Sequence, residues 1–244
     1  MFLSVWRAER LKLRHSPMWL AFFLLPLIPA FFGTVNYLGN LELLDDLWYS
    51  LWTQHTLFSC YFFLPIIIGS YCAYLWRLEH TGHNWNAMLT APISRTVFVL
   101  VKLLQASMLT ILSIIWTVLL YCLAGCLCGF SITTFPMQEV LIWMTGGIAG
   151  GIVICAIQML FSLIIRSFAV TVGIALLGGL SGLAMTAKGY PLLNPYALIC
   201  LGMKANNPNQ VISYPQFVIS CILFFFAFTL LSVWYLVHED AKTI

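Results

Sequence analysis

Six apolar stretches of about 20 residues each set the limits on what this chain can fold into. They lie at Pro17–Tyr37, Thr56–Trp76, Thr96–Cys122, Val140–Ile165, Phe168–Ala187 and Gln216–Val237. In hydrocarbon a backbone amide must find its partner within its own segment, so each stretch is a helix. Barrel strands, at about 10 residues, are too short to match them. Only 8% of the 244 residues are charged, against about 25% in soluble chains, so lipid has to serve as solvent. The expected fold is all-α: a polytopic membrane protein with six transmembrane helices in a single domain, 1–244.

Basic side chains resist translocation and so mark the cytoplasmic side. Arg7, Arg10, Lys12, Arg14, Arg77, Arg95, Lys102, Arg166 and Lys242 all fall on one side of such a bundle, nine of eleven basic residues. Lys188 and Lys204 fall on the other, with Glu42, Asp45, Asp46 and Glu139. Both termini are therefore expected in the cytoplasm. The net charge of +3 reads as a topology signal, and no nucleic-acid partner is expected. The first apolar run holds Pro26 and Pro29 and ends without a small-residue cleavage pattern, so it is expected to remain as an anchor.

Residues 1–16 suit an interfacial helix, with Phe2, Trp6 and Leu13 in one sector and Arg7, Arg10 and Arg14 elsewhere. Glu9, beside the apolar face, weakens that pattern, and a short basic cap serving only orientation is the plainer reading. The outer loop at 38–55 carries Glu42, Asp45, Asp46, Trp48, Tyr49 and Trp52. Its aromatics suit the headgroup zone, and its carboxylates either face a cationic ligand or are simply solvated. Gly146, Gly147, Gly150 and Gly151 in the fourth helix and Gly178 and Gly182 in the fifth form small faces for close helix packing. Those faces serve packing within the chain or a subunit interface equally well. The long outer connection, 188–215, is rich in Pro and Asn and has room for a short interfacial helix at Tyr196–Lys204.

Self-contained chemistry is hard to find. Gly179-Leu-Ser-Gly182 resembles the serine motif of rhomboid proteases, but a nucleophilic serine needs a base within about 3 Å. The nearest histidine in the next helix, His238, belongs at the opposite membrane face, roughly 20 to 30 Å away. Cys122, Cys126 and Cys128 have no histidine beside them and match no zinc spacing, so no metal site is expected. No phosphate-binding G-x-x-x-x-G-K-[ST] loop occurs. No ionisable side chain is expected within the six helix cores, where Gln158 is the most polar candidate, so ion coupling lacks a relay. Energy for any transport has to come from another subunit.

One polar segment stands out between the second and third apolar runs, 77–95, on the expected cytoplasmic side. Pro92 disfavours helical geometry at Ala91, which predicts a short helix over 79–89 and then a turn. Gly82 makes that helix marginal by itself.

The order of parts resembles the permease subunits of ABC-2 type exporters. Glu9-x-x-Lys12-x-Arg14-x-Ser16 is similar to that family's approach to its first helix. Glu79-His80-Thr81-x-x-Asn84-Trp85-x-x-x-Leu89-x-x-Pro92-x-Ser94-Arg95, followed by Lys102, is similar to its coupling segment. The Glu-His and Asn-Trp pairs most resemble the lantibiotic immunity permeases of Gram-positive bacteria, although Gly82 and His83 stand where a lysine-rich pattern is expected.

The resemblance implies a multi-pass protein of the bacterial plasma membrane that binds no cofactor of its own and is not itself an enzyme. It implies two cytoplasmic ABC ATPases that use ATP and magnesium, and a second permease, identical or related. Glu79, His80, Thr81, Asn84, Trp85, Leu89, Pro92 and Arg95 would form the ATPase-coupling segment. The substrate implied is an amphiphilic peptide, expelled from the lipid bilayer. The same layout fits an exporter of a drug, lipid or polysaccharide, and also a membrane scaffold or sensor that transports nothing.

Overall fold

The computed structural model describes residues 2–14, 16–44, 46–81, 94–207 and 211–238. Among them every regular element is helical. Six helices are long and apolar enough to cross a membrane: Met18–Leu38, Leu47–His80, Arg95–Leu127, Met137–Ile164, Phe168–Ala187 and Tyr214–His238. These are spans one to six below. An N-terminal helix, Phe2–Leu13, precedes them, and a short helix, Ala197–Gly202, lies between spans five and six.

Spans two and four form the centre. Their apolar windows are 72% buried, against 22% for spans five and six. The outer helices therefore present Leu177, Leu223, Phe226 and Leu230 outward, as side chains facing lipid must be. Span one breaks into Met18–Leu24 and Leu27–Leu38 around Pro26. Pro29 sits in the first turn of the second piece, where no amide donor is needed.

Span two begins nine residues earlier than its apolar run suggests. The stretch expected as an outer loop is helical from Leu47 onward, and several of its polar groups find partners inside the bundle. Gln54 accepts a hydrogen bond from Asn36, His55 Nε2 lies 3.0 Å from Thr34 Oγ1, and Thr56 donates to the carbonyl of Trp52 at 2.7 Å. Gly33 makes the approach possible, since a Cβ there would lie 2.8 Å from the His55 Cα. Farther along, Ser59–Phe63 forms a π turn, closed by the Leu64 amide donating to Ser59. Pro65, one residue on, cannot donate to the carbonyl of Tyr61, and the widened turn accommodates that loss.

Trp48 and Trp52 of the expected outer loop are interior residues, which corrects their assignment to a ligand-facing surface. Trp48 and Trp52 are 3% and 1% exposed. Trp52 stacks edge-on to Tyr121 at 5.0 Å and donates to the carbonyl of Met203 at 2.9 Å. Trp48 packs against Phe135 at 4.9 Å and donates to the carbonyl of Ser131 at 3.1 Å. A tryptophan is well placed in such a core once its indole N–H has a partner. Glu42 and Asp46 remain exposed, and Asp45 lies outside the described residues.

The connection after span five folds back onto the bundle. Every residue of Ala197–Gly202 is buried, so this short helix is interior, whereas the sequence suggested an interfacial one. Its seat is made by glycines of spans four and five. A Cβ on Gly146 would lie 2.5 Å from the carbonyl oxygen of Gly202, and one on Gly150 would lie 2.4 Å from the Ile199 amide. Gly147 faces Met203, Gly151 faces Thr110 of span three, and Gly178 and Gly182 face Tyr196 and Ala197. These small faces are covered within the chain.

Because the obstacle at Gly146 is backbone, which cannot rotate away, Gly146→Val is expected to cost about 2 to 3 kcal/mol. Gly173 has open space around it, so Gly173→Ala should be neutral or slightly stabilising. Thermal unfolding of the two variants in one detergent checks the contrast.

Candidate functional site at the basic end of the bundle

Four charged side chains, two of each sign, meet beneath spans two and three. The N-terminal helix buries Val5, Glu9 and Leu13, spaced by four residues and therefore on one face. The inward face is thus built around Glu9, and Phe2 of the expected apolar sector is exposed. Lys102 lies seven residues into span three and is fully buried, as is Glu79 near the end of span two, at 2% exposure. This corrects the expectation that the helix cores hold no ionisable group.

The four form a closed ring of alternating charge. Lys102 Nζ donates to Glu9 Oε2 at 2.8 Å, to Glu79 Oε1 at 2.9 Å and to the carbonyl of Leu75 at 2.9 Å. An ammonium has three protons, and all three are used. Lys12 closes the ring from the rim, donating to Glu9 Oε1 and, at 2.6 Å, to Glu79 Oε1. Phe98 and Trp76 cover Lys102 with ring centroids 4.7 and 5.5 Å from Nζ, which adds cation–π attraction where water is absent. Burial acts to lower the Lys12 pKa, but hydrogen bonds to Glu79 and Glu9 and their negative charge outweigh it and raise the pKa.

Ser16 of the first motif and Trp19 beyond it shape the approach to span one. Ser16 Oγ accepts the amide of Met18 at 3.0 Å, satisfying a donor that the helix start leaves open. Trp19 Nε1 donates to the carbonyl of Leu13 at 2.9 Å. Arg14 stays exposed.

The family can be judged once this arrangement is in view. A family model described as "ABC-2 family transporter protein" matches residues 5–182, nearly three quarters of the chain and all four members of the ring. The chain belongs to the ABC-2 family of transporter proteins. No curated protein and no solved structure matches it. As an ABC-2 permease it is a multi-pass membrane subunit of an ABC transporter, whose partner is an ABC ATPase.

The residues expected to couple this permease to its ATPase are found in different settings. Glu79 is inside the ring, 2% exposed, with Oε1 accepting from both lysines, which corrects its assignment as a surface contact. His80 Nε2 lies 3.2 Å from the Ser162 carbonyl at the end of span four. Thr81 is exposed, its hydroxyl donating to the carbonyl of Arg77 at 2.9 Å. Arg95 donates to the carbonyls of Leu236 and Val237 at 3.0 and 2.8 Å, so it caps the end of span six. Asn84, Trp85, Leu89 and Pro92 lie outside the described residues. Ser181 donates to Gly178 and accepts from Asn194 at 2.9 Å, a local pairing with no base in it.

Removing Lys102 leaves two buried carboxylates short of a cation. Lys102→Met is expected to cost on the order of 3 to 5 kcal/mol, whereas Lys12→Met, on the exposed rim, should cost distinctly less. Equal shifts in thermal unfolding would show that the ring does not act as drawn. A lysine whose pKa rises on folding contributes fully below its ordinary value of 10.5 and loses that contribution as pH climbs through the raised one. The difference in stability between wild type and Lys12→Met should therefore be level around neutral pH and shrink in strong alkali as Lys12 loses its proton.

Proposed function

We propose that this ABC-2 permease expels an amphiphilic antimicrobial peptide of the lantibiotic kind from the bacterial plasma membrane, giving immunity to it. Power comes from two cytoplasmic ABC ATPases using ATP and magnesium, and a second permease, identical or related, completes the pore. The part of the 79–89 segment beyond His80 is what the ATPase grips.

What carries the coupling part of this reading is the position of the ion ring at the root of that segment. Glu79 ties the last turn of span two to Lys102 of span three and to the N-terminal helix. A push on the part of that segment beyond His80 is thereby delivered to three elements together. A cleft of about 560 Å³ opens beside it, lined by Arg77, His80, Thr81, Arg166, Ser167 and Phe168. Arg77, exposed on its wall, favours an acidic rim on the partner. Support for the peptide substrate is the Glu79-His80 and Asn84-Trp85 resemblance alone.

Coupling and cargo are tested separately. Trp85→Ala is expected to weaken co-purification of the ATPase by about tenfold or more, as loss of an aromatic anchor does. Unchanged association and unchanged ATPase stimulation would refute the grip. Cells expressing permease and ATPase should survive lantibiotic doses that kill cells carrying an ATPase-dead pair. Equal killing, with intact coupling, would point to a different cargo.

A further inference from the structure

A groove of about 660 Å³ runs between the N-terminal helix and span three. Arg7, Arg10 and Arg14 line it; their spacing of three and four residues puts them on one helical face. All three are exposed, and none is in an ion pair among the described residues. Below them the wall turns apolar, with Trp19, Leu109 and Leu112. At its inner side stands Gln105, 3% exposed, with neither its amide nitrogen nor its carbonyl oxygen hydrogen-bonded.

An amide buried without partners is costly, and more so where lipid replaces water. A ligand that enters the groove and hydrogen-bonds Gln105 relieves that cost. Three guanidiniums select a phosphate over a cationic peptide. The apolar wall continues into lipid-facing side chains of spans one and three, including Leu20, Phe23 and Leu104. The occupant therefore needs a negative headgroup and a hydrocarbon tail, in the leaflet where basic residues collect.

We propose that this groove binds an anionic phospholipid of the cytoplasmic leaflet. The phosphate sits among Arg7, Arg10 and Arg14, Gln105 donates to the headgroup, and an acyl chain follows Leu109 and Leu112. The bound lipid joins the same two elements, the N-terminal helix and span three, that Glu9 and Lys102 join. It thereby stiffens the unit at the root of the coupling segment. The site stands whatever cargo the exporter carries.

The test uses the full-length permease, stripped of lipid in neutral detergent, with phosphatidylglycerol, phosphatidylcholine or inorganic phosphate added back. Thermal unfolding and lipid retention in native mass spectrometry are the readouts. Phosphatidylglycerol is expected to stabilise and remain bound, with the other two doing neither. At about a fivefold effect for each basic residue near a membrane, R7Q/R10Q/R14Q should bind it roughly a hundredfold more weakly, and R7K/R10K/R14K should recover most of the affinity. Gln105→Leu provides a check that does not depend on a damaged fold: lipid-free stability should hold or rise, while the response to phosphatidylglycerol falls about tenfold. Equal stabilisation by phosphatidylcholine, or an undiminished phosphatidylglycerol effect in Gln105→Leu, would overturn the site. An equal effect of inorganic phosphate would reduce it to anion binding and overturn the lipid assignment.

Discussion

A lysine ammonium sealed from water inside a helical membrane bundle must have every proton occupied and its charge opposed, and Lys102 meets both conditions at once. It does so by drawing Glu9 from the N-terminal helix and Glu79 from span two onto one nitrogen. Because an unpaired charge in that position costs several kcal/mol, the three elements are held in one relative placement. The N-terminal helix is turned so that Glu9, between Val5 and Leu13, faces inward. This in turn leaves Arg7, Arg10 and Arg14 on the side away from the ring. The inward and outward chemistry of this helix thus follows from one buried charge.

The rest of the bundle is organised by close approach. Span two keeps its polar residues near the first span by hydrogen bonds to Thr34 and Asn36, and the tryptophans nearby give their indole protons to carbonyls. On the other side, spans four and five offer glycines to a short helix that needs a flat seat. Lipid supplies no hydrophobic drive between helices, so association rests on contacts of these two kinds. Both are specific to position, and they concentrate in the buried centre of the molecule, while spans five and six present ordinary aliphatic surface.

Particular residues show where the sequence was legible and where it was not. Span five, Phe168–Ala187, was read to the residue, since its ends are set by a tight turn after Arg166 and by the polar run from Lys188. Span two was read nine residues short at its start because Trp48, Tyr49, Trp52 and His55 look the same in a headgroup zone as in a satisfied core. Lys102 looked like a flanking charge, a reading that its depth in a 33-residue helix overturns. Glu9 did carry a signal: an acid beside an apolar face is anomalous until a buried cation is found to meet it. Gln105 gave none, because an isolated amide in an apolar run is compatible with several surroundings.

The amino-acid order by itself determined that the chain crosses a membrane six times as helices, and that its basic residues gather at one end. Those outcomes depend on segments taken singly, because hydrocarbon demands that each backbone satisfy itself and each short loop carries its own charge. Only the tertiary structure decided which polar groups meet. Glu9 and Lys102 are 93 residues apart in the chain, and their encounter depends on how three helices are rotated and tilted against one another. A pattern within any one helix holds no record of that arrangement, so the ion ring, the interior tryptophans and the arginine-lined groove become visible only when the helices are packed.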